Sequence, residues 1–181
     1  MNLAARRLAG ARLRANPRTW GYVTVLFTIV AVVSVATRQR GSIHAADGVL
    51  VGTVAGLALP ILSFGIVSAL FDGKGARQTV AFLSTFGGKA RDVFVPFVAI
   101  AAFTSAVLSA ALATLAMTVA SRFGTSASDL AVTALVAATG GATYATVYAW
   151  ASTFGDRGEG RFIALFADWI LGAGTGVLAL P

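Results

Sequence analysis

Residues Val93 to Ala120 read VFVPFVAIAAFTSAVLSAALATLAMTVA, an apolar run without a single charged side chain. A helix needs roughly 20 residues to cross a hydrocarbon core, and this run exceeds that. It is too long and too continuous for a barrel strand, which spans about 10 residues and alternates with period two. A backbone in lipid must satisfy its own hydrogen bonds, so the run is read as a helix. Four further stretches repeat the pattern: Thr19 to Thr37, Gly48 to Phe71, Leu130 to Phe154 and Phe162 to Leu180. The fold class expected is all-α, a polytopic transmembrane helical bundle forming one domain over residues 1–181. Five spans are in view. A sixth is expected, because an odd count ends in Leu178-Ala179-Leu180-Pro181 with no polar tail.

Composition leads to the same solvent. The chain is 57% hydrophobic and 12% charged, with a mean hydropathy of +0.81. Soluble domains average about 25% charged residues, and a domain of roughly 150 residues still exposes about a third of its unfolded surface. Water cannot be the solvent for so apolar a surface. A soluble enzyme, a disordered segment and a free nucleic-acid-binding domain are excluded. With no cysteine, a disulfide framework and thiolate metal sites are excluded too.

The net charge of +7 comes from 14 basic and 7 acidic residues. Arg6, Arg7, Arg12, Arg14 and Arg18 precede the first span; Lys74, Arg77, Lys89 and Arg91 lie between the second and third; Arg157 and Arg161 lie between the fourth and fifth. Only Arg38, Arg40 and Arg122 fall on the opposite side. By the positive-inside rule the N-terminus is cytoplasmic, in a plasma (inner) membrane protein of multi-pass type. The charge is thus explained by topology rather than by nucleic acid. A cleaved secretory signal ending near Ser34-Val35-Ala36 is the poorer reading, since the basic region is long and the apolar run is of spanning length.

Two segments on the basic side carry the functional information. Leu3 to Arg14, with Arg6, Arg7, Arg12 and Arg14 among alanines, reads as a basic helix in the membrane interface, with Trp20 and Tyr22 as headgroup-level anchors. It serves either as a topology anchor or as a docking surface. Between spans two and three, Ala76 to Phe86 is amphipathic: Val80, Phe82, Leu83 and Phe86 are apolar, while Arg77, Gln78, Ser84 and Thr85 are polar. Val80, Leu83 and Phe86 follow an approximate helical face. Gly87-Gly88 stops the helix and Lys89 leads into span three. Joining two spans takes only a handful of polar residues, so this apolar face either lies on lipid or plugs into a groove on a partner.

This layout resembles the transmembrane subunit of an ABC transporter of the ABC-2 permease type. The likeness rests on the N-terminal interfacial helix, on the coupling helix at Ala76 to Phe86, and on Arg77-Gln78-Thr79-Val80-Ala81-Phe82-Leu83-Ser84-Thr85 followed by Gly88-Lys89-Ala90. That stretch is similar to the family's Thr-x-x-x-Leu run and the Gly-Lys pair entering span three. The resemblance implies a permease subunit that moves its substrate by alternating access. It further implies ATPase contact through Arg77, Val80, Phe82, Leu83, Phe86 and Lys89, a second permease subunit, and ATP and Mg held by a separate ABC-type ATPase. Family members usually have six spans, and the five read here depart from that.

The chain's own chemistry is sparse. Gly87-Gly88-Lys89-Ala90 lacks the upstream Gly and the Ser/Thr of a Walker A loop. Gly155 to Arg161 has glycines but no preceding strand, and reads as a solvated turn. His44 with Asp47 is too little for a metal site, and no nucleophile–base set is present. This chain is therefore not expected to be an enzyme or to hold a cofactor. Asp168 alone among the acids falls within a span, six residues from Phe162 or about 9 Å in. An intramembrane carboxylate is a functional candidate by default. Three states are open to it: protonated, paired with Arg157 or Arg161 reaching upward, or hydrogen-bonded to Ser and Thr of neighbouring helices.

Small residues recur at four-residue spacing: Gly52 and Gly56; Ser105, Ser109 and Ala113; Ala137, Gly141, Ala145 and Ala149; Gly172 and Gly176. Such stripes let helices approach closely in lipid, and a homodimer seam through span five or one is one expected use. Pro60 should kink span two. Thr104, Thr114, Thr118, Thr139, Thr143 and Thr146 either line a weakly polar path or bond back to their own helices. Two rivals to the permease reading remain: an ATPase-independent secondary transporter or channel coupled through Asp168, and a non-transporting membrane scaffold.

Overall fold

A computed structural model describes residues 3–41, 44–85 and 89–175, with backbone alone for 171–175. All regular structure among them is helical: α1 (Leu3–Ala15), α2 (Pro17–Gln39), α3 (Ala45–Leu70), α4 (Ala76–Ser84), α5 (Ala90–Ala120), α6 (Ala127–Ala151) and α7 (Gly160–Thr175). Helices α2, α3, α5 and α6 are long and apolar enough to cross a membrane, with mean hydropathies of 1.9, 2.2, 2.1 and 1.5 over their most apolar stretches. Helix α7 is described over 16 residues, about 24 Å, against the roughly 30 Å of a hydrocarbon core. The end of the expected fifth stretch, toward Leu180, lies outside the described residues.

Helices α2 and α6 begin before their apolar runs because polar caps start them. Asn16 Oδ1 accepts the Arg18 backbone N–H at 3.1 Å, with Pro17 in the first turn, where its missing N–H costs nothing. Asn16-Pro17 thus ends one helix and caps the next. Ser126 Oγ accepts the Asp129 N–H at 3.0 Å, and the Asp129 carboxylate favours the positive end of the α6 dipole.

Helix α3 is not regular. From Val49 to Ala58 it is wound as a π-helix, and the Leu59 N–H bonds Val54 O, five residues back. Pro60 follows at once. It has no N–H to hold the Gly56 carbonyl, and its ring would press on that carbonyl in an α-turn. The wider winding relieves both, in a run unusually long for a π-helix. The kink expected at Pro60 therefore takes the form of a loosened stretch ahead of it. Pro96 sits inside α5 and frees the Asp92 carbonyl in the same way.

The most extensive pairing is α5 on α6, with α3 against both and α2 on α5. Ser105, Ser109 and Ala113 are buried against the face that carries Ala137, Gly141, Ala145 and Ala149. A Cβ placed on Gly141 would collide with Ser109 Oγ and come within 2.8 Å of Ser105 O. These two stripes therefore form one close-packed seam. Ser63 Oγ adds a buried hydrogen bond to Gly141 O at 3.2 Å. The outward side chains include Val32, Phe103, Leu135, Val136 and Ile163. So much exposed apolar surface fits a transmembrane helical protein and would be a liability in water.

The basic residues sort to the two ends. Arg12 Nη1 donates to Leu70 O at 3.2 Å, the Ala76 N–H bonds Ser152 O at 2.8 Å, and Arg161 Nη2 donates to Gly73 O at 3.1 Å. These contacts bring α1, the end of α3, the start of α4 and the α6–α7 connection to one end of the bundle, the end to which eleven basic residues belong in sequence. At the other end Arg122 Nη1 meets Gly41 O at 3.4 Å, close to Arg38 and Arg40.

Candidate functional site

At the basic end, α1 packs on α5 and α3. Its buried residues Ala5, Ala9 and Leu13 recur every four positions and so form one stripe. Arg6, Arg7 and Arg14 point outward and are exposed. Arg12 turns inward, with its guanidinium bound at Leu70 O and lying 5.9 Å over the Phe97 ring. The helix expected to rest in the interface is thus docked on the bundle, and one of its four arginines is structural.

Helix α4 turns its apolar residues to two sides: the expected face of Val80 and Leu83 meets the bundle, and Phe82 does not. Val80 is buried and Leu83 half-buried, both packed against the bundle. Phe82 is 62% exposed. Two residues at about 100° each carry it to the far side from Val80, where it shares an exposed arc with Arg77, Gln78, Ala81 and Thr85. Lys89 is exposed at the head of α5. Phe86 lies outside the described residues.

The connection from Gly155 to Arg161, expected to be a solvated turn, is an interlock. Gly158 adopts a φ of +73° and presses on Gly75, whose Cα lies 3.1 Å from where a Gly158 Cβ would be. A Cβ on Gly75 would in turn come within 2.8 Å of Asp156 O. Arg161 is only 3% exposed. It donates to Gly73 O, and its guanidinium lies 6.0 Å from the Phe64 ring and 5.7 Å from that of Phe162. Its Nε and Nη1 have no partner among the described residues. Burial pulls this guanidinium below its usual pKa, and the charge of nearby Glu159 opposes the shift. The start of α4 and the start of α7 are therefore bolted together.

Two turns along α7 from Arg161 stands Asp168, 7% exposed. Its partner is neither an arginine nor a Ser or Thr: Tyr144 Oη donates to Asp168 Oδ1 at 3.2 Å. Tyr148, one turn on in α6, stacks its ring on Tyr144 at 5.9 Å. Its hydroxyl is buried without a partner among the described residues. Asp168 and Tyr144 border a cavity of about 630 Å³ between α2, the π-wound part of α3, α6 and α7, open on the side where Ile29, Leu57 and Trp169 are exposed. Gly52 and Gly56, expected to pack a seam, instead form part of its wall. A Cβ on Gly52 would meet nothing within 4 Å, and one on Gly56 only Val51 O at 3.4 Å.

Of the six threonines, Thr114, Thr118, Thr139, Thr143 and Thr146 each bond a carbonyl of their own helix at 2.8–3.0 Å. The sequence reading missed Tyr144 and Tyr148. The available signal was two tyrosines one turn apart well inside an apolar span, where each hydroxyl needs a partner. His44 Nδ1 lies 3.6 Å from Asp47 Oδ2 on an exposed surface, away from both regions. Against known proteins, no family model, no curated sequence and no solved structure matches the chain.

Proposed function

We propose that the chain is the membrane-spanning permease subunit of an ATP-driven transporter of the ABC-2 type. On this reading its basic end, with the N-terminus, faces the cytoplasm of a plasma (inner) membrane. Helix α7 belongs to a fifth span. Two such subunits work with separate ABC-type ATPase subunits, which hold ATP and Mg.

One observation carries the reading. A short helix between two spans presents an exposed arc at the basic end while its other side is locked into the bundle. Phe82 and Arg77 lie on that arc, suited to a groove in a partner by the helix-in-groove mode. Force applied to α4 reaches α7 through Gly75–Gly158 contact and the Arg161–Gly73 hydrogen bond, and thereby reaches Asp168. Alternating access needs such a link between the driven surface and the intramembrane site.

Purification from the native membrane tests this. A partner carrying a Walker A loop should co-elute and hydrolyse ATP, and Phe82→Asp should abolish both co-elution and the associated hydrolysis. Ion-gradient-driven uptake by the purified chain alone would overturn the proposal. That outcome belongs to a second reading, a secondary transporter, which the buried Asp168 at a cavity wall favours.

A further inference from the structure

We infer that the cavity between α2, α3, α6 and α7 binds an amphiphilic organic cation, with Asp168 as its counter-ion. The volume of about 630 Å³ lies in the range of small-molecule sites, roughly 300–1,000 Å³. The lining is of the expected kind: Ile29, Val33 and Leu57 are apolar, while Tyr144 and Trp169 contribute aromatic surface. Aromatic faces attract cations, and apolar walls accept a hydrocarbon body. Gly52 and Gly56 leave the π-wound wall bare, so a chain or ring can lie against the backbone.

The carboxylate selects the charge. Asp168 has a single hydrogen-bond donor, Tyr144, and no Lys, Arg or His partner among the described residues. The nearest arginine along its helix, Arg161, is held two turns away by Gly73 O and the rings of Phe64 and Phe162. A buried carboxylate in lipid is stabilised by a paired cation, and the described residues provide none. A metal ion is the poorer occupant, since the described residues contain no group of three His, Cys, Asp or Glu side chains that could hold one. Apolar walls also do nothing for a bare ion. A positively charged head on Asp168 with an apolar body against α2 and α3 uses every part of the lining.

This inference deepens the permease reading and rests on it for its use in transport. Binding itself is measured on the full chain alone. Intact binding without an ATPase partner would sink only the permease reading, and intact ATPase co-elution without binding would sink only this one. Trp20 and Trp150 are exposed, so replacing both with Phe leaves Trp169 as the reporter of the cavity. Benzyltrimethylammonium, whose charge does not titrate, should change Trp169 fluorescence saturably. Asp168→Asn should weaken that binding by about tenfold or more, as expected for removing one partner of a desolvated charge pair. Binding to neopentylbenzene, the neutral carbon isostere, should not respond to the substitution. Should Asp168→Asn fail to fold, Gly52→Phe keeps the carboxylate and fills the cavity from α3, and it should also weaken binding. The inference is overturned if benzyltrimethylammonium gives no saturable change, or if it binds a folded Asp168→Asn or Gly52→Phe protein as tightly as the parent.

Discussion

Two regions of this bundle carry the same pattern, small residues every four positions, and use it in opposite ways. On α5 and α6, Ser105, Ser109 and Ala113 meet Ala137, Gly141, Ala145 and Ala149, and the helices close until a single added carbon at Gly141 would collide. On α3, Gly52 and Gly56 meet nothing comparable and bound a cavity. The difference lies in the backbone and the opposing face. Helices in regular α winding with complementary stripes interdigitate, and close packing is what drives association in lipid. A π-wound stretch ahead of Pro60 turns its glycines toward a space bordered by Tyr144, Asp168 and Trp169. A small-residue stripe states where bulk is missing; whether a helix or a ligand takes the room is set by what stands opposite.

The sharpest way to break this contrast is to add bulk on both sides. Gly141→Leu should destabilise the protein by about 3 kcal/mol, the upper end for overpacking, seen as a large drop in the thermal midpoint in detergent. Gly52→Ala should be neutral or stabilising by up to about 1 kcal/mol, since it removes backbone freedom and meets no neighbour. Equal losses at the two positions would erase the distinction between seam and hollow. Next in size, Tyr144→Phe takes the hydroxyl from Asp168 and should cost about 2 kcal/mol, the range for hydrogen bonds to charged groups, checked by the same melting measurement. A Tyr144→Phe protein as stable as the parent would mean that the hollow does not depend on this pair.

The interlock at the basic end gives smaller effects. Gly75→Ala should cost about 1.5 kcal/mol by forcing Asp156 and Gly158 apart. Faster hydrogen exchange at the Ala76 amide, which bonds Ser152 O, would mark the loosened junction. Arg12→Ala should cost about 1 kcal/mol through the lost Leu70 hydrogen bond, whereas exposed Arg6→Ala should stay within about 0.5 kcal/mol. Identical melting of the two arginine variants would return α1 to a helix that merely rests on the surface.

Much of the fold was legible in the chain. The apolar runs marked α2, α3, α5 and α6, because lipid forces each spanning segment to satisfy its own hydrogen bonds. Their starts were misjudged by a few residues because hydropathy does not register a polar first turn such as Ser126 to Asp129. Less of the candidate site was legible. Asp168 stood out as a charge in an apolar run, but its partner, 24 residues away in sequence, is specified only by how α6 and α7 pack. Val80 and Phe82 looked alike on a composition basis and are separated only by the bundle that buries one of them.

Composition, spacing and charge by themselves determined that the chain is helical, that at least four of its segments suit lipid, and that its basic residues divide between two ends. Those properties are local or additive: hydropathy sums along a segment, and the basic residues are counted from one connection to the next. Tertiary structure alone decided which stripe closes and which stays open, that Tyr144 rather than Arg161 faces Asp168, and that two glycine turns bolt α4 to α7. Each of these depends on the relative rotation and approach of helices far apart in sequence. Rotation is fixed by the fit of whole surfaces, which no single segment encodes.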